Sequence, residues 1–225
     1  MMRSYSIDSP MALSDVVKWE LDARFCRDTA MLLAGSGAVR AVNLGAVLGQ
    51  RLFGAPSSEK TGTGGGAMTG LALKAGARVG IYKAVCISAA ADAGVFAVYD
   101  PSGRRMADAT VGAAYDNGEI GFTIADGTPD WAVGATWAIT VPPGDLKVTA
   151  IDFSAVDGSQ RPWGLAAADA EAPDGTDLVD GVVGVRRFAA VLSDTLVWPA
   201  GATSDQKAAA LAELADANVI AKAGY

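Results

Sequence analysis

The C-terminal part of the chain contains the segment Val197-Trp198-Pro199-Ala200-Gly201-Ala202-Thr203-Ser204-Asp205-Gln206-Lys207. Thr203 and Gln206 stand three residues apart in a capping-box pattern, in which each side chain accepts a hydrogen bond from the other residue's backbone N–H at the start of a helix. Apolar residues follow at helical spacing: Ala208, Leu211, Leu214 or Ala215, and then Asn218 or Val219. The segment predicts one short amphipathic helix with its apolar face towards the protein core.

The rest of the sequence consists mainly of short apolar runs that glycine, asparagine and aspartate interrupt. Residues 38–49 form one such run, and five more lie at residues 79–87, 94–99, 105–111, 119–124 and 136–141. Strand-forming residues bounded by turn-forming residues indicate β-strands. The pair Asn117-Gly118 is typical of a type I′ hairpin turn, which needs a positive φ angle at both central residues. The five later runs predict a small antiparallel β-sandwich.

Two segments rich in glycine and proline divide the chain. They lie at residues 54–66 and at Pro142-Pro143-Gly144-Asp145, and their composition is typical of flexible linkers. The predicted organisation is an N-terminal arm at residues 1–18, one domain made from residues 19–60 and 144–225, and an inserted β domain at residues 62–142. The predicted fold class is mainly β: a small β-rich domain with one short C-terminal helix, split by an antiparallel β-sandwich-like insertion.

The composition excludes several classes of function. Histidine is absent from all 225 residues, so the chain has no Ser-His-Asp or Cys-His nucleophile and no histidine-ligated metal. The formal net charge of −7 argues against a nucleic-acid-binding face, which needs basic residues to neutralise phosphates. Cys26 and Cys86 lack the spacing of a zinc site. No apolar run is long enough to cross a membrane, and residues 1–30 lack the apolar core of a signal peptide.

Three patterns invite a chemical interpretation, and each has a simpler one. The glycine-rich residues 62–66 lack the Lys-Ser or Lys-Thr of a phosphate-binding loop. Two carboxylates could hydrolyse a glycoside without histidine, but nothing in the sequence brings a particular pair together. Surface turns, rather than a calcium loop, fit the spacing of the acidic residues Asp169, Glu171, Asp174, Asp177 and Asp180. The sequence therefore predicts no catalytic, cofactor-binding or metal-binding residue, and no enzyme.

Several segments outside the predicted insertion resemble one known family. The segment that begins at Val197, its helix and Val219-Ile220-Ala221-Lys222 are similar to the C-terminal end of phage lambda-type head decoration proteins. Asn43-Leu44-Gly45-Ala46-Val47-Leu48-Gly49 resembles their first glycine-punctuated strand. Further similar segments are Ser14-Asp15-Val16-Val17-Lys18-Trp19-Glu20, Asp157-Gly158-Ser159-Gln160, Gly164-Leu165 and residues 182–191. The resemblance covers roughly residues 12–53 and 145–222, and departs from the smallest family members at the insertion.

The resemblance implies a non-enzymatic protein of the virion, without a cofactor, on the outer surface of a tailed-phage head. Members of the family assemble as homotrimers that cap the local threefold axes of the expanded capsid and stabilise it. Their N-terminal arm becomes ordered against the major capsid protein. Neither a nucleic acid nor a membrane is an expected partner.

Two sets of residues carry this expectation. An arm could add a strand to an exposed capsid sheet edge through backbone hydrogen bonds, and its predicted capsid-binding residues are Leu13, Val16, Val17 and Trp19. The residues predicted to form the core of the decoration domain or its trimer contact are Leu44, Val47, Trp198, Pro199, Leu211 and Leu214.

An alternative from another class is a surface-displayed binding module, in which the inserted domain recognises a host glycan or protein. Exposed aromatic side chains on one face of the insertion would favour that function. Burial of Trp131, Trp137 and Tyr115 would instead favour a spacer.

Overall fold

The computed structural model describes residues 11–224, which separate into two units. Unit 1 contains residues 11–50, 146–155 and 159–224, and unit 2 contains residues 51–145 and 156–158. In chain order the elements are α1 (Leu13–Val16), β1 (Val17–Glu20), α2 (Ala23–Cys26), β2 (Arg27–Leu32), β3 (Arg40–Val42), β4 (Val47–Gln50), β5 (Ser57–Thr61), β6 (Met68–Leu73), β7 (Gly80–Ala90), β8 (Ala93–Tyr99), β9 (Ala109–Thr110), β10 (Ala114–Asp116), β11 (Ile120–Ile124), β12 (Thr136–Val141), β13 (Val148–Ala150), β14 (Pro162–Ala166), β15 (Ala170–Ala172), β16 (Leu178–Val185), β17 (Ala189–Leu192), a 3-10 turn (Ser193–Thr195), α3 (Ser204–Asp216) and β18 (Val219–Lys222). The prediction of a mainly β fold with one short C-terminal helix is confirmed.

Unit 1 is organised around a closed five-stranded barrel. Its strands neighbour one another in the order β13-β2-β16-β14-β4. Strands β1, β17 and β18 form a separate three-stranded sheet, and β3 pairs with β15. Strand β4 contributes to two separate hydrophobic clusters of unit 1. Val47 packs with Leu44 and Leu214 in one cluster, whereas the next residue, Leu48, packs with Leu32 in the other. Successive side chains of a strand point to opposite faces, so both residues are buried.

Helix α3 begins with the capping box that the sequence predicts. The Gln206 backbone N–H donates to Thr203 Oγ1 at 3.2 Å, and the Thr203 backbone N–H donates to Gln206 Oε1 at 2.9 Å. These two bonds satisfy backbone groups that a helix N-terminus otherwise leaves unpaired. Leu214 and Val219 are buried in the unit 1 core and Leu211 is partly buried, as the sequence predicts. The prediction is wrong for Ala208, which is exposed, and Ala210 is buried instead.

Unit 2 consists of two antiparallel sheets that share one core. The sheets have the strand orders β5-β12-β7-β8-β9 and β10-β11-β6. Residues from both sheets, including Tyr82, Phe96, Ile120 and Ile139, belong to a single buried cluster. The predicted strands correspond to β7, β8, β11 and β12, whereas the predicted strand at 105–111 is reduced to β9. Strands β5, β6 and β10 were not predicted.

The glycine-rich segment before β6 is part of unit 2, so the prediction of a flexible linker at residues 54–66 is wrong. Strand β5 pairs with β12 along its whole length. Of the glycines that follow, Gly64 and Gly66 approach the indole ring of Trp131, and a Cβ atom added at Gly64 would overlap the ring. Glycine is needed here because the backbone approaches the aromatic ring too closely for any side chain.

The turn between β10 and β11 also differs from its prediction. Only Gly118 has a positive φ angle, of 79°, and Asn117 does not share it, so the turn is not of type I′. Asn117 Oδ1 instead accepts hydrogen bonds from the backbone N–H groups of Glu119 at 2.9 Å and Ile120 at 2.8 Å. The side chain of asparagine thus replaces a backbone acceptor in a longer loop.

The prediction of an N-terminal arm at residues 1–18 is wrong for residues 13–18. Residues 1–10 lie outside the described residues. Residues 13–20 form α1 and β1, and β1 pairs antiparallel with β17 near the other end of the chain. Val16 is fully buried in the unit 1 core, because α1 turns its side chain inwards. Residues 13–18 are therefore part of the folded unit.

Candidate functional site

The four residues predicted to bind a capsid have different environments. Val16 is buried, and Leu13 and Val17 are partly buried against the same core cluster. Trp19 in β1 is exposed. Only Trp19 therefore presents most of its side chain to a partner, while the other three stabilise unit 1.

The six residues predicted as core or trimer contacts also divide into two groups. Leu44, Val47 and Leu214 are buried core residues. The partly buried residues are Leu211, Trp198 and Pro199. The Trp198 ring stacks on Phe153, with 6.3 Å between ring centroids and 19° between ring planes. A trimer contact stays a prediction for the partly buried group.

An exposed apolar surface of unit 1 was not identified from the sequence. We call it the aromatic patch, and it consists of Trp19, Leu21, Phe25 and Phe188. The rings of Phe25 and Phe188 stack with centroids 5.8 Å apart, and the Leu21 backbone N–H donates to the Phe188 carbonyl at 3.1 Å. The patch joins residues about 160 positions apart, so no local pattern could have predicted it.

Arg187 fixes one side of the aromatic patch. Its guanidinium carbon lies 5.7 Å from the centroid of the Phe25 ring, and its Nε donates to the Phe25 carbonyl at 2.8 Å. The same guanidinium forms an ion pair with Asp28, at 2.6 Å between Nη2 and Oδ1. Guanidinium groups stack favourably on aromatic faces, so Arg187 and the stacked Phe188 together hold the Phe25 ring, and Phe25 nevertheless stays exposed.

Most of the acidic residues considered for calcium have a structural role. Asp169 accepts from the Leu44 backbone N–H at 2.7 Å, Asp174 from that of Gly37 at 2.8 Å, and Asp177 from that of Ala34 at 2.8 Å. These bonds satisfy loop backbone groups that strands leave unpaired. Within residues 11–224, no group of three or more acidic or cysteine side chains is arranged to hold a metal ion.

Unit 2 contains a network of charged groups around Asp100, whose side chain is fully buried. Asp100 accepts from Ser102 Oγ at 2.6 Å, from Arg104 Nε at 3.0 Å and from Arg78 Nη2 at 2.9 Å. The hydrogen bond from Ser102, followed by those from Arg104, holds the pKa of the Asp100 carboxyl well below its ordinary value. Both oxygens of this carboxylate are occupied, so it stabilises the turn after β8 rather than offering a free base.

Two further residues complete this network. Tyr82 Oη donates to Glu119 Oε2 at 2.8 Å, and Arg78 Nη2 donates to Glu119 Oε1 at 2.6 Å. Burial, followed by the bond to Glu119, raises the pKa of Tyr82 to about 12. The tyrosine is therefore a fixed hydrogen-bond donor at neutral pH. The network joins β7, the turn after β8 and the turn before β11.

Two other features bear on chemistry. Both cysteines are free and buried, and burial raises the pKa of the Cys86 thiol, which disfavours the reactive thiolate. An open apolar cleft of about 410 Å³ in unit 2 is lined by Phe53, Leu71 and Val156, and its arginine, Arg51, pairs with Asp145 at 2.9 Å.

In the described part of the chain, no helix is long and apolar enough to cross a membrane.

Comparisons with known proteins complete the description. A family model described as bacteriophage lambda head decoration protein D matches residues 6–219. Among solved structures, the crystal structure of Xanthomonas campestris FlgL is similar at 21% identity with a TM-score of 0.28, over 57% of this chain and 35% of that chain. The match therefore spans about a third of that protein's length. No curated protein matches significantly.

The family match extends through both units, from the residues before α1 to the first residue of β18. It includes the core residues Leu44, Val47 and Leu214, the capped helix α3 and the whole of unit 2. This chain belongs to the family of the bacteriophage lambda head decoration protein D.

Proposed function

We propose that this chain is a non-enzymatic structural protein that binds the outer surface of a tailed-phage head as a homotrimer at local threefold positions. It stabilises the expanded capsid through contacts with the major capsid protein. The observation that carries the proposal is the family match over residues 6–219. Membership of a head decoration family implies a capsid decoration role and association with the phage capsid.

The chemistry of the described residues supports a structural role. The most strongly perturbed carboxyl, Asp100, already accepts hydrogen bonds from Ser102, Arg104 and Arg78. Catalytic acids and bases need an accessible group with a pKa matched to proton transfer. Asp100 is instead buried with a lowered pKa, which favours stabilisation over catalysis.

A binding experiment tests the proposal. The purified chain is mixed with expanded heads that lack a decoration protein, and bound protein is measured by co-sedimentation. We expect saturable binding of three copies per local threefold position and a higher temperature of head disruption. Heads that sediment without the chain at saturating concentration would contradict the proposal.

The capsid-binding function predicted for residues 1–18 can be tested separately. Residues 1–10 lie outside the described residues, and a chain that starts at Met11 keeps α1, β1 and the buried Val16. We expect this chain to fold and to bind heads more weakly than the full chain. Equal affinity of the two chains would show that residues 1–10 make no contribution.

For unit 2, we favour a spacer over recognition of a glycan or host protein. Trp131, Trp137 and Tyr115 are all buried in its core, so they cannot form an exposed sugar-binding platform. The segments that lead into and out of the unit run side by side: the Gly54 backbone N–H donates to the Pro142 carbonyl at 2.9 Å, and that of Gly144 donates to Leu52 at 2.8 Å. This geometry is typical of an insertion at one position.

A deletion tests the spacer proposal. Residues 54–142 are replaced by a short glycine-serine linker, which has to join only two adjacent backbone segments. We expect the shortened chain to fold and to bind heads with the affinity of the full chain. A folded but non-binding product would show that unit 2 contributes to capsid binding.

A further inference from the structure

The aromatic patch of unit 1 combines four exposed apolar side chains. The exposed fractions are 57% for Trp19, 59% for Leu21, 53% for Phe25 and 37% for Phe188. Contiguous apolar surfaces of this kind mark interaction sites, whereas single exposed apolar residues do not. Tryptophan and phenylalanine are also enriched in the centres of protein interfaces.

The backbone at Phe188 adds an independent observation. Its φ angle is 49°, in the left-handed region that bulky residues rarely adopt. Glycine or asparagine would adopt this conformation at lower cost, yet the chain places an exposed phenylalanine there. Strained residues of this kind are concentrated at binding sites, so the position of the Phe188 ring is consistent with a partner that contacts it.

The charges around the patch differ from those of the whole chain. Residues 18–28 and 186–188 contain five basic residues and three acidic ones, a local charge of +2, whereas the whole chain has a net charge of −7. Arg24 is the most accessible of the four arginines, because its side chain is 95% exposed. Its Nε lies 3.7 Å from the Asp22 carboxylate. The patch is therefore an apolar surface with a basic rim on an otherwise acidic protein.

A second surface of unit 1, with the opposite charge, lies towards the far end of the pair formed by strands β2 and β16. Strands β2 and β16 align Arg27 with Val185 near the aromatic patch, and Leu32 with Leu178 at the far end. Residues 162–185 contain five acidic residues and no basic residue. Between Leu178 and Val182, where the pairing register shifts, Val179 is 64% exposed and is followed by the exposed Asp180.

Two of these acidic groups are available to a partner. Glu171 in β15 and Asp180 are both exposed, and within residues 11–224 neither has a lysine or arginine within ion-pair distance. Strand β15 packs against β16. Val179 and Asp180 are consecutive residues of β16, and we call these two residues, together with Glu171 of the neighbouring strand, the acidic surface.

We propose that the aromatic patch of one copy docks on the acidic surface of a second copy. The basic rim and the acidic residues attract each other, while Phe25 and Phe188 cover Val179 of the neighbour. Such a contact joins two different surfaces, so it is heterologous and three copies can close it into a ring. The inference rests on the proposed homotrimer for its number of copies. A stable interface buries about 800 Å² per partner, so residues around both surfaces must also contribute.

Charge reversal tests this inference directly. The self-association of the full chain is measured by sedimentation equilibrium over a range of concentrations. The variant Arg24→Glu removes a positive charge that has only a weak partner within the chain, and we expect the dissociation constant to rise at least about tenfold. The matched control is Arg105→Glu in unit 2, which also reverses an exposed arginine with a nearby aspartate; its dissociation constant should stay unchanged.

A second set of variants separates a specific contact from general destabilisation. The double variant Glu171→Lys with Asp180→Lys should weaken self-association. Adding Arg24→Glu to the same chain should recover at least about half of the increase in the logarithm of the dissociation constant. Circular dichroism checks that every variant is folded. A triple variant as weak as either parent would overturn the inference, as would a wild-type chain that stays monomeric at all concentrations.

The same variants distinguish a failure of this inference from a failure of the proposed function. If Arg24→Glu weakens head binding and leaves self-association unchanged, the aromatic patch contacts the capsid and the inference is wrong. If the wild-type chain associates through the patch but does not bind heads, the inference stands and the proposed function fails.

Discussion

Units 1 and 2 are both β-rich, but they place their aromatic side chains differently. Unit 2 buries Trp131, Trp137, Tyr82 and Phe96 in one core. Unit 1 leaves Trp19, Phe25 and Phe188 exposed. Buried aromatic rings supply much of the apolar area that stabilises a small domain, whereas exposed rings are available to a partner. The difference indicates that unit 2 is completed by its own residues and that unit 1 has surface left for assembly.

The largest difference in stability between the two units should result from a substitution of Trp131. Its ring is fully buried and meets Phe96 edge-on, with centroids 5.2 Å apart. Trp131→Ala should destabilise unit 2 by about 3–5 kcal/mol, because it removes a large core side chain. Hydrogen exchange measured by mass spectrometry, which reads the two units separately, should show lost protection in β7 and β12 and little change in the barrel of unit 1. Equal loss in both units would mean that they do not unfold independently.

A smaller effect, restricted to unit 2, is expected at Asp100. Its folded-state pKa is below the ordinary value of 3.8, so its contribution to stability is complete above that value and is lost as the pH falls towards the lower folded-state pKa. Asp100→Asn should lower the unfolding temperature of unit 2 at pH 7 and reduce its dependence on pH between 4 and 2. Thermal melts across this pH range provide the measurement, and Arg105→Gln is the control on an exposed pair. A variant that keeps the wild-type pH dependence would show that another group causes it.

In unit 1, the capping box of α3 should have a moderate effect. Thr203→Ala removes the acceptor of the Gln206 backbone N–H and should cost about 1 kcal/mol of unfolding free energy. Thr203→Ser keeps the hydroxyl and should stay close to wild type. Chemical denaturation of the three chains gives the comparison, and a Ser variant as unstable as the Ala variant would show that the methyl group matters instead.

The smallest effect on stability should come from Trp19, although its effect on assembly should be clear. The side chain is mostly exposed, so Trp19→Ser should change the free energy of unfolding by at most about 0.5 kcal/mol. Self-association should weaken by several-fold, because the variant removes part of the aromatic patch. Denaturation and sedimentation of the same sample test both halves. A large loss of stability would contradict the view that Trp19 serves a partner rather than the fold.

Local sequence patterns predicted those elements that depend on neighbours in the chain. Thr203 and Gln206 are three residues apart, so the start of α3 could be identified before the structure, and alternating runs identified β8, β11 and β12. Pairings across long separations could not be identified. Val16 looked like part of an arm because its buried environment is supplied partly by the distant residues Val191 and Val219.

The aromatic patch shows the same limit for the functional surface. Phe25 and Phe188 are far apart in the sequence, and neither belongs to a local pattern that indicates a binding surface. The patch exists because the turn after β16 brings Phe188 onto Phe25. A sequence pattern shows which residues share one face of an element, but it does not show which distant element lies beside that face.

The proposed function depends most on the position of this chain on the phage head. Electron cryomicroscopy of the virion, at a resolution that separates single subunits, tests this position directly. We expect density for three copies of the chain around each local threefold position on the outer surface. Virions without density for the chain at these positions would contradict it.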